Sequence, residues 1–255
     1  MGRSLSLTAL PAIPLIEPGD DLMQSLAQSL ADAGLELCDG DVLVIAQKII
    51  SKAEDRYVEL NSVEVSEAAR ELAIEADKDP RLVELIVRES KQVLRARPGV
   101  IIVEHNRGWV HANAGIDRSN IDTDPNNPRV LLLPIDPDAS AADLRNAIRD
   151  LHGVDVAVII NDSAGRAWRN GIIGFALGTA GFDAIEDKIG TVDLFDRPLE
   201  VTQVAVADEL AAAASFLMGQ GSEGSPVVLI RGADLQSSDA NAQSLLRPES
   251  QDLFR

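Results

Sequence analysis

The chain has 255 residues, enough to bury a full core as one large domain or two small ones. A formal net charge of −18 and an aromatic content of 3% exclude the basic footprint and the stacking platforms of a nucleic-acid binder. No apolar run approaches the length of a membrane span, and the single cysteine, Cys38, fits a reducing cytoplasm with no intrachain disulfide.

"LSLTAL" alternates apolar and polar residues and reads as the first strand. "GDDLMQSLAQSLADAGL" sets Leu22, Leu26 and Leu30 on one helical stripe behind an Asp20 or Asp21 cap. "DVLVIA" is a buried strand. Two polar helices are expected over Ser66 to Ala76 and Pro80 to Leu94, the second with Asp79 as cap and Pro80 at its first position. "GVIIVEHNRGWVHANAG" has the pattern of a hairpin turning at Asn106-Arg107-Gly108. "RVLLLP" is a strand, "DASAADLRNAIRDLHG" a helix ending at Gly153, and Val154 to Ile160 a strand expected to end just before "NDSAGRAWRNG". "LEVTQVAVA" is read as a strand, "DELAAAASFLMG" as a helix and "SPVVLIRG" as the last strand, with a polar tail over 233–255. The irregular alternation points to α+β, one unit over 1–255 of two interleaved subdomains, with a change of character near Pro80 to Pro98.

Four stretches could carry chemistry. "NAGIDRSN" places Asp117 three residues before Asn120, either as a metal carboxylate with a substrate-binding amide or as a self-capping turn. In "NDSAGRAWRNG", Asp162 and Ser163 are neighbouring hard oxygen donors, and Arg166 and Arg169 could fork onto phosphate or carboxylate oxygens. The alternative there is a helix cap followed by surface arginines. "AQKIISKAE" sets Lys48 and Lys52 one helical turn apart beside Gln47, a phosphate-binding pair or a solvated basic turn. "LMGQGSEGSP" offers glycines that let backbone approach a ligand or that merely end a helix. No P-loop or G-x-G-x-x-G pattern is present. His105, His111 and His152 lack metal-ligand spacing, and His111 reads as a satisfied wall residue.

In one order, "LPAIPLIEPGDDL", "DGDVLVIAQKIISKAE", "NAGIDRSN", "LLLPIDPDASAADLR", "VAVIINDSAGRAWRNG", "VTQVAVADELAAAA" and "LMGQG" closely resemble the coenzyme F420:γ-glutamyl ligase family, from about Leu10 to Gly232. The resemblance implies a family-specific two-subdomain fold entwined with a second copy as a homodimer. It also implies GTP-dependent attachment of L-glutamate to the deazaflavin precursor F420-0, with later glutamates added through γ-linkages. The stand-alone form is expected, without the fused flavin-binding domain of some relatives. Carried over by motif, Asp117, Asp162, Ser163 and Gln220 are the implied ligands of Mg²⁺ or Mn²⁺, two ions in all, with K⁺ as a further cation. Pro14, Leu15, Ile16, Gln47, Lys52, Asn120, Gly219 and Gln220 are the implied nucleotide contacts. Ser163 departs from the family's usual threonine but keeps its hydroxyl, and Asp55 stands where glycine commonly follows "SKAE".

The chemistry expected of such a site is phosphoryl transfer to a carboxylate, which is mostly positioning and charge neutralisation. In a chain this acidic, metals on Asp117, Asp162 and Ser163 would supply that charge, aided by Lys52, Arg166 and Arg169. Two other readings use the same residues: a metal-dependent phosphohydrolase acting on a nucleotide, and a catalytically silent GTP-binding subunit.

Overall fold

A computed structural model describes residues 2–253. β1 (Ser6–Ala9) and α1 (Leu22–Asp32) stand where alternation and spacing put them, and Asp21 caps α1 by accepting from the Met23 and Gln24 amides. β2 (Val42–Ala46) runs directly into α2 (Gln47–Ala53), followed by the short β3 (Tyr57–Glu59). α3 (Glu67–Ala76) is capped by Ser66 and α4 (Pro80–Arg88) by Asp79. α4 is shorter than expected. Ser90–Arg97 forms β4 instead, paired antiparallel with β5 (Val100–His105). Gly99, at φ +88°, closes that hairpin, and pairing with β5 overrides the helical spacing up to Leu94.

β6 (Val110–Ala112) completes the expected hairpin, and β7 (Arg129–Leu131) pairs with β3. α5 (Pro137–His152) ends at Gly153. β8 (Ala157–Arg166) does not stop at Ile160: it continues through Asp162 and Ser163 and pairs with β9 (Arg169–Ala180) down to Arg166 opposite Arg169. Asp162 and Ser163 are therefore mid-strand residues of a long hairpin, and no helix follows for them to cap. β10 (Glu186–Asp187) pairs with β11 (Gln203–Val204), which is all that forms of the strand expected over "LEVTQVAVA". From Val206 that stretch is already helical, as the first turn of α6 (Val206–Met218), and β12 (Val227–Arg231) follows.

The main sheet has the order β1-β12-β2-β8-β9, antiparallel except where β2 meets β8. Alternation sorts its two faces. Leu43, Ile45, Val158 and Ile160 pack with Leu26 and Leu30 of α1 and Ile148 of α5, while Val42, Val44 and Ile159 pack with Leu210, Ala211 and Ala214 of α6. The small residues of α6 let it lie close to β9. A Cβ on Gly174 would sit 2.5 Å from the Ala211 carbonyl oxygen.

Between α2 and α5 the chain builds a separate layer with its own core. There, Ala69 and Ala73 of α3 and Val83 and Ile86 of α4 pack on Ile101 and Val103 of β5. The change of composition near Pro80 to Pro98 falls within this insertion. The polar tail lies on the surface, held where the Ala242 amide donates to Asp138 and the Asp183 amide to the Gln236 carbonyl. Its last residues, 254–255, lie outside the described residues. Among the described residues no helix is long and apolar enough to cross a membrane.

Candidate active site

The insertion and the main sheet meet along a cleft of about 760 Å³, within the range of small-molecule sites. Its walls come from five segments: the loop Ile13–Glu17, the end of β2 with α2, the loop 117–122, the β8–β9 hairpin at Asn161–Ser163 and Ile172, and the end of α6 with the turn 219–226. Pro14, Leu15, Ile16, Gln47, Lys52, Asp117, Asn120, Asp162, Ser163, Gly219 and Gln220 all line it. Arg166 and Arg169 do not. They face each other at the tip of the β8–β9 hairpin, outside the lining.

Asp117 is delivered by an unusual piece of backbone. After β6, Asn113, Ala114 and Gly115 take φ values of +52°, +54° and +68°, three left-handed residues in succession. Such a turn is costly for a residue with a Cβ, and its surroundings hold it. Asn113 accepts from the Ile101 amide through its side chain, Ala114 is buried in the insertion's core, and Leu133 packs where a Cβ on Gly115 would be. Asp117 then exchanges both backbone hydrogen bonds with Leu131.

The side chain of Asp117 is held from the opposite layer. Gln47 Nε2 donates to Asp117 Oδ2 at 2.7 Å, and the Ser51 hydroxyl donates to Gln47 Oε1 at 3.0 Å, which fixes the amide's orientation. Lys48 Nζ stands 3.4 Å from Asp117 Oδ1 and donates to the Ser119 carbonyl. Burial pushes the Asp117 carboxyl above the usual aspartate range; Lys48 draws it back, and the nearby Asp162 adds to the rise.

Just before Asp162 the register with β9 shifts by one residue, because Ile160 is paired with Gly178 and Asn161 with Ala176, leaving Leu177 of β9 as the extra residue. Asp162 Oδ2 lies 3.2 Å from Nε2 of His111, whose Nδ1 lies 3.0 Å from the Ala112 carbonyl oxygen. Both ring nitrogens thus face acceptors. Burial opposes charge on the ring, yet the Asp162 carboxylate and the Ala112 carbonyl outweigh it and raise His111 above the ordinary histidine value. Beside Asp162, Asn161 is buried with an Oδ1 that has no hydrogen-bond partner.

The remaining wall is tied across the cleft. Asn120, itself left-handed at φ +55°, donates to the Gly221 carbonyl, and Gln220 donates to the Ser215 hydroxyl. Lys52 is buried and held below the ordinary lysine value by desolvation, with Glu17 opposing the shift. Charge on the walls is lopsided. Glu17, Asp117, Asp122, Asp162 and Glu223 face only Lys48 and Lys52, five acids against two amines.

Sequence reasoning missed His111 and Asn161. His111 was visible as the inward residue of a strand, buried as a wall residue should be, but its partner is distant in sequence. Asn161 was hidden by the expected strand end.

The model of the F420-0:gamma-glutamyl ligase family matches residues 12–232. The coenzyme F420:L-glutamate ligase of Methanothermobacter thermautotrophicus is 44% identical over 98% of this chain and 99% of its own length. That of Methanopyrus kandleri is 42% identical over 99% and 98%, and that of Methanocaldococcus jannaschii 40% identical over 95% and 94%.

Proposed function

The chain belongs to the F420-0:gamma-glutamyl ligase family of amide-bond-forming ligases, and we propose from that membership that it joins L-glutamate to F420-0 in coenzyme F420 biosynthesis. In this reading GTP drives the step, and further glutamates follow through γ-linkages. The observation that carries it is convergence. Segments scattered from Pro14 to Gln220 meet on one cleft of nucleotide size, in a chain matched over nearly its whole length.

A carboxylate does not condense with an amine unaided, because oxide is a poor leaving group. Transfer of the γ-phosphoryl group to the acceptor carboxylate yields an acyl phosphate and GDP. The glutamate amine then attacks the acyl carbon, phosphate leaves, and the ammonium proton passes to solvent or a base. Lys48 and Lys52 are the amines available to phosphate oxygens, and the Gly219–Gly221 backbone permits close approach. The Asn120–Gly221 hydrogen bond keeps that turn against the loop carrying Asp117.

Five acids against two amines would repel a triphosphate, so the cleft suits a nucleotide that arrives with cations. The donors fit hard ions. Asp117, Asp162, the Ser163 hydroxyl and the Gln220 carbonyl oxygen would hold Mg²⁺ or Mn²⁺, and no thiolate stands among them. When bound, the ions neutralise phosphate charge.

We further propose a homodimer. The hairpin that carries Arg166 and Arg169 also presents Trp168 and Ile173 to solvent, beside Ile172 at the edge of the cleft, an apolar surface suited to a second copy. Light scattering at micromolar concentration tests this, and a fully active monomer defeats it.

Mass spectrometry of F420-0 incubated with the protein, GTP, Mn²⁺ and L-glutamate tests the chemistry. The expected product is heavier by glutamyl residues and is absent without GTP or in excess chelator. GTP hydrolysed without acceptor, with no amide formed, would instead indicate a phosphohydrolase. GTP bound but never turned over would indicate a silent subunit.

A further inference from the structure

Two of the five cleft carboxylates, Asp117 and Asp162, are each held by a residue from the layer they do not belong to. Asp117 sits on the insertion and is gripped by Gln47 and Lys48 of α2, next to the main sheet. Asp162 sits on the main sheet and meets His111, which belongs to the insertion. Gln47 and Lys48 fall in motifs already tied to the cleft. His111 does not.

The geometry around His111 is that of a fixed ring. It is 8% exposed, on the inward side of β6 and opposite Val103 of β5. Its ring lies 5.6 Å from that of Phe175, the residue paired with Asp162 across the hairpin. With Nδ1 beside the Ala112 carbonyl and one face near Phe175, Nε2 has a single direction, toward Asp162 Oδ2. The left-handed turn after Ala112 then fixes the spacing between His111 and Asp117.

We propose that His111 is a positioning residue for the cation site. By holding Oδ2 of Asp162, it leaves Oδ1 for a cation in the cleft that Asp117 also lines. Outer partners of this kind orient a ligating carboxylate before the ion arrives, and their loss weakens metal binding without removing a ligand. This rests on the reading of Asp117 and Asp162 as cation ligands given above.

The test is Mn²⁺ binding itself, followed by the free-ion electron paramagnetic resonance signal, with and without GDP. His111→Leu removes the donor at similar volume and is expected to weaken Mn²⁺ roughly ten- to a hundredfold. His111→Gln, which keeps an N–H within reach of Asp162, should recover most of that loss. His105→Gln alters a buried histidine of the same layer that touches neither carboxylate, and should leave the affinity unchanged. If His111→Leu does not fold, His111→Asn, whose amide stops short of Asp162, should show the same weakening. Wild-type affinity in folded His111→Leu or His111→Asn overturns the positioning role and leaves the cation site standing. An equal loss in His105→Gln assigns the effect to general loosening and overturns it too. Wild-type protein that takes up no Mn²⁺, with or without GDP, overturns the cation site and this role together.

Discussion

Val158, Ile159 and Ile160 lead along β8 to Asp162 by plain strand alternation, the one register shift being taken up by β9, whereas the insertion reaches Asp117 through three successive left-handed residues. The sheet half relies on close packing of regular elements, with α6 laid against Gly174 of β9. The insertion half relies on backbone that only its surroundings hold in place. A cleft carboxylate can come from either kind of element, but the two should fail differently when disturbed.

The largest expected effect is chemical and lies on the sheet half. Asp162→Ala should reduce ligation by at least roughly 10²–10³-fold, the scale of losing one fixed electrostatic contact in a reacting site. Circular dichroism should stay native-like, because the residue itself packs no large group, and the melting temperature should fall by a few degrees as His111 loses its partner. Full activity in a folded variant would remove Asp162 from the chemistry.

Next come the two glycines. Gly174→Ala drives a Cβ to 2.5 Å from the Ala211 carbonyl, which cannot yield without moving α6, and should cost about 3 kcal/mol. Gly115→Ala meets the movable Leu133 Cδ1 at 2.7 Å and a φ of +68°, and should cost about 2 kcal/mol. The reverse order in urea melts would mean that left-handed backbone, not steric packing, is the dearer of the two.

A smaller effect distinguishes the insertion by pH. Glu84 on α4 accepts from the Ser66 hydroxyl at 2.6 Å and from the Ser66 amide at 3.0 Å, and pairs with Arg88. The Ser66 bonds, aided by Arg88, hold its carboxyl below the usual glutamate range. Its folded pKa is therefore depressed. The stability it contributes is present above the unfolded value and lost as pH falls through the folded one. Glu84→Ala should cost about 1–2 kcal/mol at neutral pH, and the gap to wild type should close on acidification. A gap that widens in acid would reverse the sign.

The smallest effect belongs to the hairpin tip. Arg169→Ala changes an exposed side chain and should move the melting temperature by no more than about 2 °C. A several-fold fall in ligation with that stability intact would show that the tip serves a site its own chain does not line.

Much of the sheet layer was legible because its signals are local. Alternation in "DVLVIA", the Asp21 cap and the alanine-rich α6 each follow from a few neighbouring residues. Leu94 misled because helical spacing and strand pairing compete there, and the partner strand lies beyond a turn. Asp162 misled because glycines and charges resemble a strand end unless the antiparallel partner is known. The cleft residues themselves were reachable through motif order. The hold of His111 on Asp162 was not, since it joins positions far apart in sequence on different layers.

That reciprocal hold bears on how the molecule opens. Amide exchange commonly proceeds through partial openings in which one cooperative unit detaches while the rest stays folded. Here, detachment of the insertion would carry Asp117 away and, in the same event, release Asp162 from His111. The amides of β6 should then exchange no more slowly than this opening, while those of β8 around Asp162, paired with β9 inside the sheet, should stay protected. Catalytic competence would vanish in a single step, and a half-open molecule would keep no partial site able to hydrolyse nucleotide idly.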